Sequence, residues 1–224
     1  MGGKRSYGQH CTVARALDVV GERWTLLVVR ELSTGPKRYK DLLEGLPGIG
    51  TNLLANRLKS LAGEGIVSRG TLPPPAGSSV YELTSLGRSL EPVMVALSRW
   101  GAGLMDTPRE DEDLRPGWAA VAVRSAMAKE AMEGSPGSYE LRIDGEVFHL
   151  RVGDGQVECV GAWQGSSPAP DLVVIGESDT FVAVASGRLS PEEAVESGAL
   201  RAEGQEDQDA LLAWCRRLVG PPAA

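Results

Sequence analysis

A short polar segment divides the chain into two halves of opposite charge, and this division limits the folds that the chain can adopt. The segment runs from Thr107 to Gly117 (TPREDEDLRPG), is acidic and is bounded by prolines. Residues 1–104 carry 13 Lys and Arg against 8 Asp and Glu, a net charge of +5, whereas residues 105–224 carry 10 against 22, a net charge of −12. Polar, proline-bounded segments are typical of linkers. The sequence therefore predicts two domains, over residues 1–107 and 117–220, with different surfaces and different roles.

The composition of the whole chain excludes several classes of protein. The chain has 224 residues, of which 42% are hydrophobic, so it can build two ordinary cores. Its three cysteines form no Cys-x-x-Cys pair and no metal-ligand spacing, which is typical of a reducing compartment. The sequence shows no secretory signal and no apolar run long enough to cross a bilayer. We therefore expect a cytoplasmic protein with no membrane partner, no metal and no cofactor.

The first half of the chain predicts a series of helices followed by a β-hairpin. The predicted helices cover residues 12–20, 23–32, 39–46 and 51–63, and the predicted strands cover 66–72 and 80–84. A long helix over 85–105 follows, and Pro92 predicts that this helix is kinked or begins later than Ser85. This order of elements is that of a winged helix-turn-helix domain.

The fourth predicted helix has two faces of different composition. Three leucines share one side at 100° per residue and predict a buried face, namely Leu54, Leu58 and Leu61. The opposite side carries amides and a lysine but no carboxylate. The major groove of B-DNA admits one α-helix, in which asparagine can pair with adenine and lysine with guanine or a phosphate, whereas phosphates would repel a carboxylate. Basic residues before this helix suit phosphate contacts. The candidate DNA-binding residues are Lys37, Arg38, Tyr39, Lys40, Thr51, Asn52, Asn56 and Lys59.

Several ordered motifs of the first half resemble the HxlR-type winged-helix regulators of bacteria. The resemblance covers Cys11 to Gly101 and rests on Gly-x-x-Trp at 21–24, Arg-Glu-Leu at 30–32, Gly-Pro at 35–36, Leu-Pro-Gly-Ile at 46–49 and Tyr-x-Leu-Thr at 81–84. It implies a homodimer, built through the first and last helices of the domain, that represses or activates nearby genes from a double-stranded DNA operator. A polar outer face alone is typical of a merely solvated helix, and the ordered motifs favour DNA binding instead. The wing departs from the family, because Gly77-Ser78-Ser79 stands where members commonly carry a basic residue.

The last helix of the first domain carries an apolar stripe with spacings of three and four. An apolar stripe of this length on a terminal helix favours contact with a second copy of the chain, although it could also belong to the core of the domain. The candidate dimerisation residues are Leu90, Val93, Leu97, Trp100 and Leu104.

Cys11 has two interpretations. Some HxlR-type proteins sense oxidants or electrophiles through a cysteine near this position, and the resemblance therefore makes Cys11 a redox candidate. The basic residues Lys4, Arg5 and Arg15 lie nearby in the sequence and would favour its thiolate. The other interpretation is a small buried packing residue, and the sequence alone favours it.

The second half of the chain predicts an α+β domain. A helix, strands of alternating polarity, short helices and a final helix indicate an α/β sandwich-like domain with an antiparallel sheet. Residues 119–220, and above all the stretch FVAVASGRLSPEEAVESGALRAEG, resemble the sterol-carrier-protein-2-like fold. That fold encloses an apolar tunnel suited to a hydrophobic small molecule. The domain is therefore either a sensor of such an effector or a domain that only stabilises the dimer. The candidate ligand-binding residues, chosen by apolarity and size, are Phe148, Leu150, Trp163 and Phe181.

The sequence does not favour an enzyme. The second half has a single histidine, His149, and no catalytic triad order, metal spacing or phosphate-binding glycine pattern. Two hypotheses for the whole chain therefore remain open. The first is a homodimeric transcriptional regulator that responds to a ligand, and the second is a hydrophobic-ligand carrier or interaction module that uses the winged helix only to dimerise.

Overall fold

The computed structural model describes residues 6–72, 77–105, 112–128, 136–153, 156–161, 169–203 and 208–219. The chain forms two compact units, Met1–Glu91 and Pro92–Ala224. No helix of the described residues is long and apolar enough to span a membrane.

The first unit contains the helices and the hairpin that the sequence predicts, in the same order. The elements are α1 (Thr12–Val20), α2 (Thr25–Leu32), α3 (Tyr39–Glu44), α4 (Thr51–Gly63), β1 (Val67–Thr71), β2 (Ser79–Leu83) and α5 (Ser85–Arg88). The two strands pair antiparallel, from Val67 opposite Leu83 to Thr71 opposite Ser79. Buried aliphatic residues of α2, α3 and α4, among them Val28, Val29 and Leu42, form the core. The unit is a winged helix-turn-helix, as predicted.

Pro92 determines where the long predicted helix begins. The helix over 85–105 is interrupted: α5 ends at Arg88, and α6 (Glu91–Ala102) starts immediately before the proline. Proline is tolerated in the first turn of a helix because the backbone N–H that it lacks has no partner there. The predicted later start is therefore confirmed.

The division between the two units lies earlier in the chain than the predicted linker. It falls after Glu91, so α6 is grouped with the second unit, whereas the sequence places this helix in the first domain. Within the second unit, Nε of Arg99 on α6 donates to the carbonyl oxygen of Ser125 at 3.2 Å. Residues 107–111 of the predicted linker lie outside the described residues. The domain bounds 1–107 and 117–220 accordingly stay a prediction.

The second unit continues after α6 with a sheet and its covering helices. Its elements are α7 (Pro116–Met127), β3 (Gly137–Ile143), β4 (Glu146–Gly153), β5 (Gln156–Gly161), β6 (Leu172–Gly176), α8 (Ser178–Ala185), α9 (Pro191–Glu196), β7 (Leu200–Ala202) and α10 (Gln208–Val219). The strand order in the sheet is β5-β4-β3-β6-β7. Alternate residues of β3 are buried, namely Tyr139, Leu141 and Ile143, as the sequence predicts. They share one core with apolar residues of α7, α8 and α10.

The sheet is mixed, which corrects the antiparallel sheet that the sequence predicts. β3 pairs with β4 in the antiparallel sense, but it pairs with β6 in parallel, from Tyr139 opposite Leu172 to Ile143 opposite Gly176. Alternation of polarity indicates which face of a strand is buried and carries no information on the direction of its neighbour. β6 itself reads LVVIG, a continuous apolar run of the kind found in parallel pairs.

The first unit offers a direct test of close packing between α5 and the residue that precedes β1. A side-chain carbon added at Gly87 would overlap the carbonyl oxygen of Ile66. Gly87→Ala should therefore lower the free energy of unfolding by about 1–3 kcal/mol, as at other over-packed positions. Hydrogen exchange of the amides of the first unit, measured on the full chain, should show the loss of stability.

Gly63→Ala is the matched control. Gly63 ends α4, and a carbon added there would meet no described atom within 4 Å. Its exchange should match that of the wild type or be slightly slower, because alanine favours the helix over glycine. Equal exchange in the two variants would contradict the contact between Gly87 and Ile66.

Candidate nucleic-acid interface

The exposed side of α4 is free of acidic residues. The opposite side is fixed in the core, because Leu54, Leu58 and Leu61 are at most 1% exposed. The residues on the other side are exposed as the sequence predicts, and they are Thr51, Asn52, Asn56 and Lys59. We call these four residues the α4 stripe. They place two amides, a hydroxyl and an ammonium group where a helix in a major groove would present them to base edges.

Basic side chains surround the start of α3, just before the α4 stripe. Arg38 and Lys40 are exposed, and Lys37 is half-buried. The Lys40 ammonium lies 3.4 Å from Glu44 in an ion pair whose side chains are 82% and 58% exposed. Such an exposed pair contributes little stability, so the lysine can exchange its partner for a phosphate. The geometry suits contacts to the DNA backbone on one flank of α4.

Tyr39 has a structural contact that the sequence did not indicate. Its hydroxyl group donates to the carbonyl oxygen of Thr51 at 2.7 Å and so joins the first residue of α3 to the first residue of α4. This bond fixes the start of α4. The hydroxyl hydrogen of Tyr39 is thus used within the protein, and contact between Tyr39 and DNA stays a prediction.

The wing contains a basic residue that the sequence analysis missed. Arg69 on β1 is exposed and lies opposite Tyr81 on β2, with its guanidinium carbon 5.3 Å from the centre of the Tyr81 ring. Lys37 exchanges two backbone hydrogen bonds with the same tyrosine, at 2.9 and 2.8 Å. Lys37 and Arg69 therefore flank Tyr81. Only the register of the hairpin reveals this, because the sequence of the loop does not determine which residues face each other.

The comparisons with known proteins agree with this geometry. Residues 19–109 match the HxlR-like helix-turn-helix family. The HTH-type transcriptional regulator YodB of Bacillus subtilis is 38% identical over 85 residues, which are 38% of this chain and 76% of that protein. The uncharacterized HTH-type transcriptional regulator YvaP of the same species is 33% identical over 92 residues, or 41% of this chain and 85% of that protein. The chain belongs to the HxlR-like family.

Two further similarities complete the comparison. One similarity is to the solved structure of reduced YodB from Bacillus subtilis, whose sequence is 32% identical to the matched part of this chain. The match covers 45% of this chain and 100% of the YodB chain, with a TM-score of 0.38. Residues 120–208 match the SCP-2 sterol transfer family. The chain thus joins an HxlR-like region to an SCP-2 region, as the two resemblances in its sequence predict.

The apolar side of α6 is largely open in the single chain. Val93, Leu97, Trp100 and Leu104 are exposed, Trp100 to 68%, whereas Leu90 is half-buried. Three of these exposed residues lie at spacings of four and three along the helix, and we call Val93, Leu97 and Trp100 the α6 stripe. An exposed tryptophan beside exposed aliphatic residues is typical of a surface that another protein covers.

The candidate ligand-binding residues of the second unit lie in its core. Phe148, Leu150 and Phe181 are at most 3% exposed, and Phe181 packs edge-on against Trp214 at 6.4 Å between ring centres. The indole Nε1 of Trp214 has no hydrogen-bond partner among the described residues. Trp163 lies outside the described residues. Burial of this kind suits a packed core as well as a ligand site, so the ligand role of these residues stays a prediction.

The three cysteines differ sharply in environment. Cys11 is exposed and precedes the first turn of α1, where the backbone N–H groups of Ala14 and then Val13 lower the pKa of its thiol. Cys159 and Cys215 are buried, and burial raises the pKa of the Cys215 thiol to about 12. The exposure of Cys11 contradicts its interpretation as a buried packing residue. Its role as a redox sensor stays a prediction.

These environments predict the order in which the cysteines react. At neutral pH, iodoacetamide should alkylate Cys11 in the native protein and leave Cys159 and Cys215 unmodified, because the thiolate is the nucleophile. The rate at Cys11 should rise with pH and level off below the pH at which an ordinary thiol would, since its pKa is lowered. Peptide mass spectrometry after timed labelling measures all three sites. Equal labelling of Cys11 and Cys215 without denaturant would contradict this picture.

Proposed function

We propose that the protein is a homodimeric DNA-binding transcriptional regulator in which α4 enters the major groove of an operator. The observation that carries the proposal is the α4 stripe, an exposed and carboxylate-free surface on the recognition helix of an HxlR-like winged helix. The basic residues at the start of α3 would contact the phosphates that flank the groove. The site of action is then the cytoplasm, where bacterial DNA lies, and neither unit is proposed to catalyse a reaction.

Substitutions in the α4 stripe and beside it should have different effects on DNA binding. Asn56→Ala should weaken specific binding by about 1–3 kcal/mol and change non-specific binding little, because an asparagine that reads a base contributes only at the correct sequence. Lys37→Ala and Arg38→Ala should weaken both kinds of binding and reduce the salt slope by about one unit each, because each removes one phosphate contact.

Fluorescence anisotropy over a salt series measures these effects on a duplex that the wild-type protein selects from the region upstream of its own gene. Gln208→Ala, at an exposed position that starts α10, is the control and should bind like the wild type. If the three interface variants bound the selected duplex and an unrelated duplex like the wild type, the assignment of α4 to the groove would be wrong. Binding that does not weaken with salt would favour the alternative, a ligand carrier that uses the winged helix only to dimerise.

The α6 stripe supports the proposed homodimer. Leu97→Glu should shift the protein toward monomer, because a carboxylate buried in an apolar interface has no partner there. Leu97→Met keeps the apolar volume and should leave the dimer intact. Light scattering coupled to size exclusion gives the mass of each variant. A wild-type protein that stays monomeric at tens of micromolar would contradict the dimer.

The SCP-2 region supports a hydrophobic small molecule as the effector. This part of the proposal rests on the family match of residues 120–208 and on the aromatic core around Phe181. Native mass spectrometry of the purified full chain should show an added mass that organic extraction removes. A mass equal to that of the chain alone, before and after incubation with long-chain lipids, would leave the second unit as a domain that only stabilises the dimer.

A further inference from the structure

Arg57 lies on α4 between its buried and exposed faces, and its side chain reaches back to the turn between α1 and α2. Nη2 donates to the Glu22 carboxylate at 2.9 Å, and Nε donates to the carbonyl oxygen of Arg23 at 3.2 Å. The Arg57 side chain is only 20% exposed, whereas its neighbours Asn56 and Lys59 are exposed. Its guanidinium group is therefore used within the protein and does not project with the α4 stripe.

Trp24, in the same turn, lies near the segment that leads into α4. This residue holds a left-handed backbone conformation (φ 76°), which is rare for a bulky side chain and persists only where surrounding contacts impose it. The edge of its ring lies beside Gly48, in the turn before α4: a carbon added at Gly48 would be 3.7 Å from Cη2 of Trp24. The turn between α1 and α2 is thus bonded to the middle of α4 through Arg57, and its tryptophan lies near the segment that leads into the helix.

The two kinds of contact constrain α4 differently. Burial of Leu54, Leu58 and Leu61 holds the helix against the core, but apolar burial is not directional and permits small rotations about the helix axis. A guanidinium group that bonds a carboxylate and a carbonyl at once is directional, because its donors form a rigid planar fork. The Arg57 bonds therefore add a directional restraint on the rotation of α4 to the burial of its leucines.

We propose that Arg57, held by Glu22 and the Arg23 carbonyl, is a positioning residue that orients α4 for sequence-specific DNA binding and does not itself contact DNA. The inference rests on the proposed function, since it names what orients the helix that reads the operator. Because Glu22 and Arg23 follow directly on Gly21 at the end of α1, the bonds also tie the direction of α4 to the end of that helix.

Arg57→Lys separates positioning from phosphate contact, because it keeps the charge and removes the fork. Positioning predicts that Arg57→Lys loses about tenfold or more in affinity for the selected duplex, while its affinity for unrelated duplex and its salt slope stay like those of the wild type. Glu22→Gln should lose specific affinity in the same direction, although it removes a negative charge that repels DNA. Phosphate contact predicts the reverse: Arg57→Lys would bind like the wild type, and Glu22→Gln would bind more tightly.

A matched variant distinguishes the loss of helix positioning from a general loss of stability. Gly87→Ala destabilises the same unit at a position remote in sequence from the Arg57 bonds, and it should keep the wild-type ratio of specific to non-specific affinity at a temperature where all variants are folded. The inference is overturned if Arg57→Lys and Glu22→Gln keep that ratio, or if Gly87→Ala loses it to the same extent. A wild-type protein with no specific DNA binding would instead overturn the proposed function. The titration of the wild-type protein with the selected and unrelated duplexes decides this before any variant is compared.

Discussion

The burial of one face of α4 is the constraint on which the proposed function of the first unit depends. Because an α-helix has 3.6 residues per turn, fixing Leu54, Leu58 and Leu61 in the core leaves the opposite residues at the surface. Those residues set what the unit can bind. Here they are amides, a hydroxyl and a lysine with no carboxylate, in a chain whose net charge is −7. An acid-free helix face in an acidic protein favours a polyanionic partner, and residues 19–109, which include α4, match the HxlR-like helix-turn-helix family.

The parts of the fold that follow from local periodicity could be predicted from the sequence. α1 runs from Thr12 to Val20, as its apolar pattern predicts, and α4 buries the three leucines that fall together at 100° per residue. In the second unit, the alternating polarity of the strands predicted the buried face of β3. The capping box at Ser190, which opens α9, is likewise built from residues close together in the chain. Each of these features depends on residues only a few positions apart.

The features that the sequence did not reveal join residues that are distant in the chain. Arg57 and Glu22 are separated by 35 positions, and nothing in either local pattern indicates that they meet. The bond from Tyr39 to Thr51 and the stacking of Arg69 on Tyr81 depend likewise on how α3, α4 and the hairpin pack. The parallel pairing of β3 with β6 is set by the path of the chain across the sheet, which alternation does not encode. The predicted DNA contacts therefore included Tyr39, whose hydroxyl group already has a partner in the protein. The positioning role of Arg57 was not predicted, because it depends on partners that are distant in the chain.

Dimethyl sulphate interference on the selected duplex tests the groove assignment most directly. This reagent methylates guanine N7 in the major groove and adenine N3 in the minor groove, so it reports which groove the protein needs. A homodimer with α4 in the major groove predicts interference at guanine N7 in two clusters, about 10 bp or a small multiple of that apart. Interference confined to adenine N3, or none at any base, would contradict the central claim.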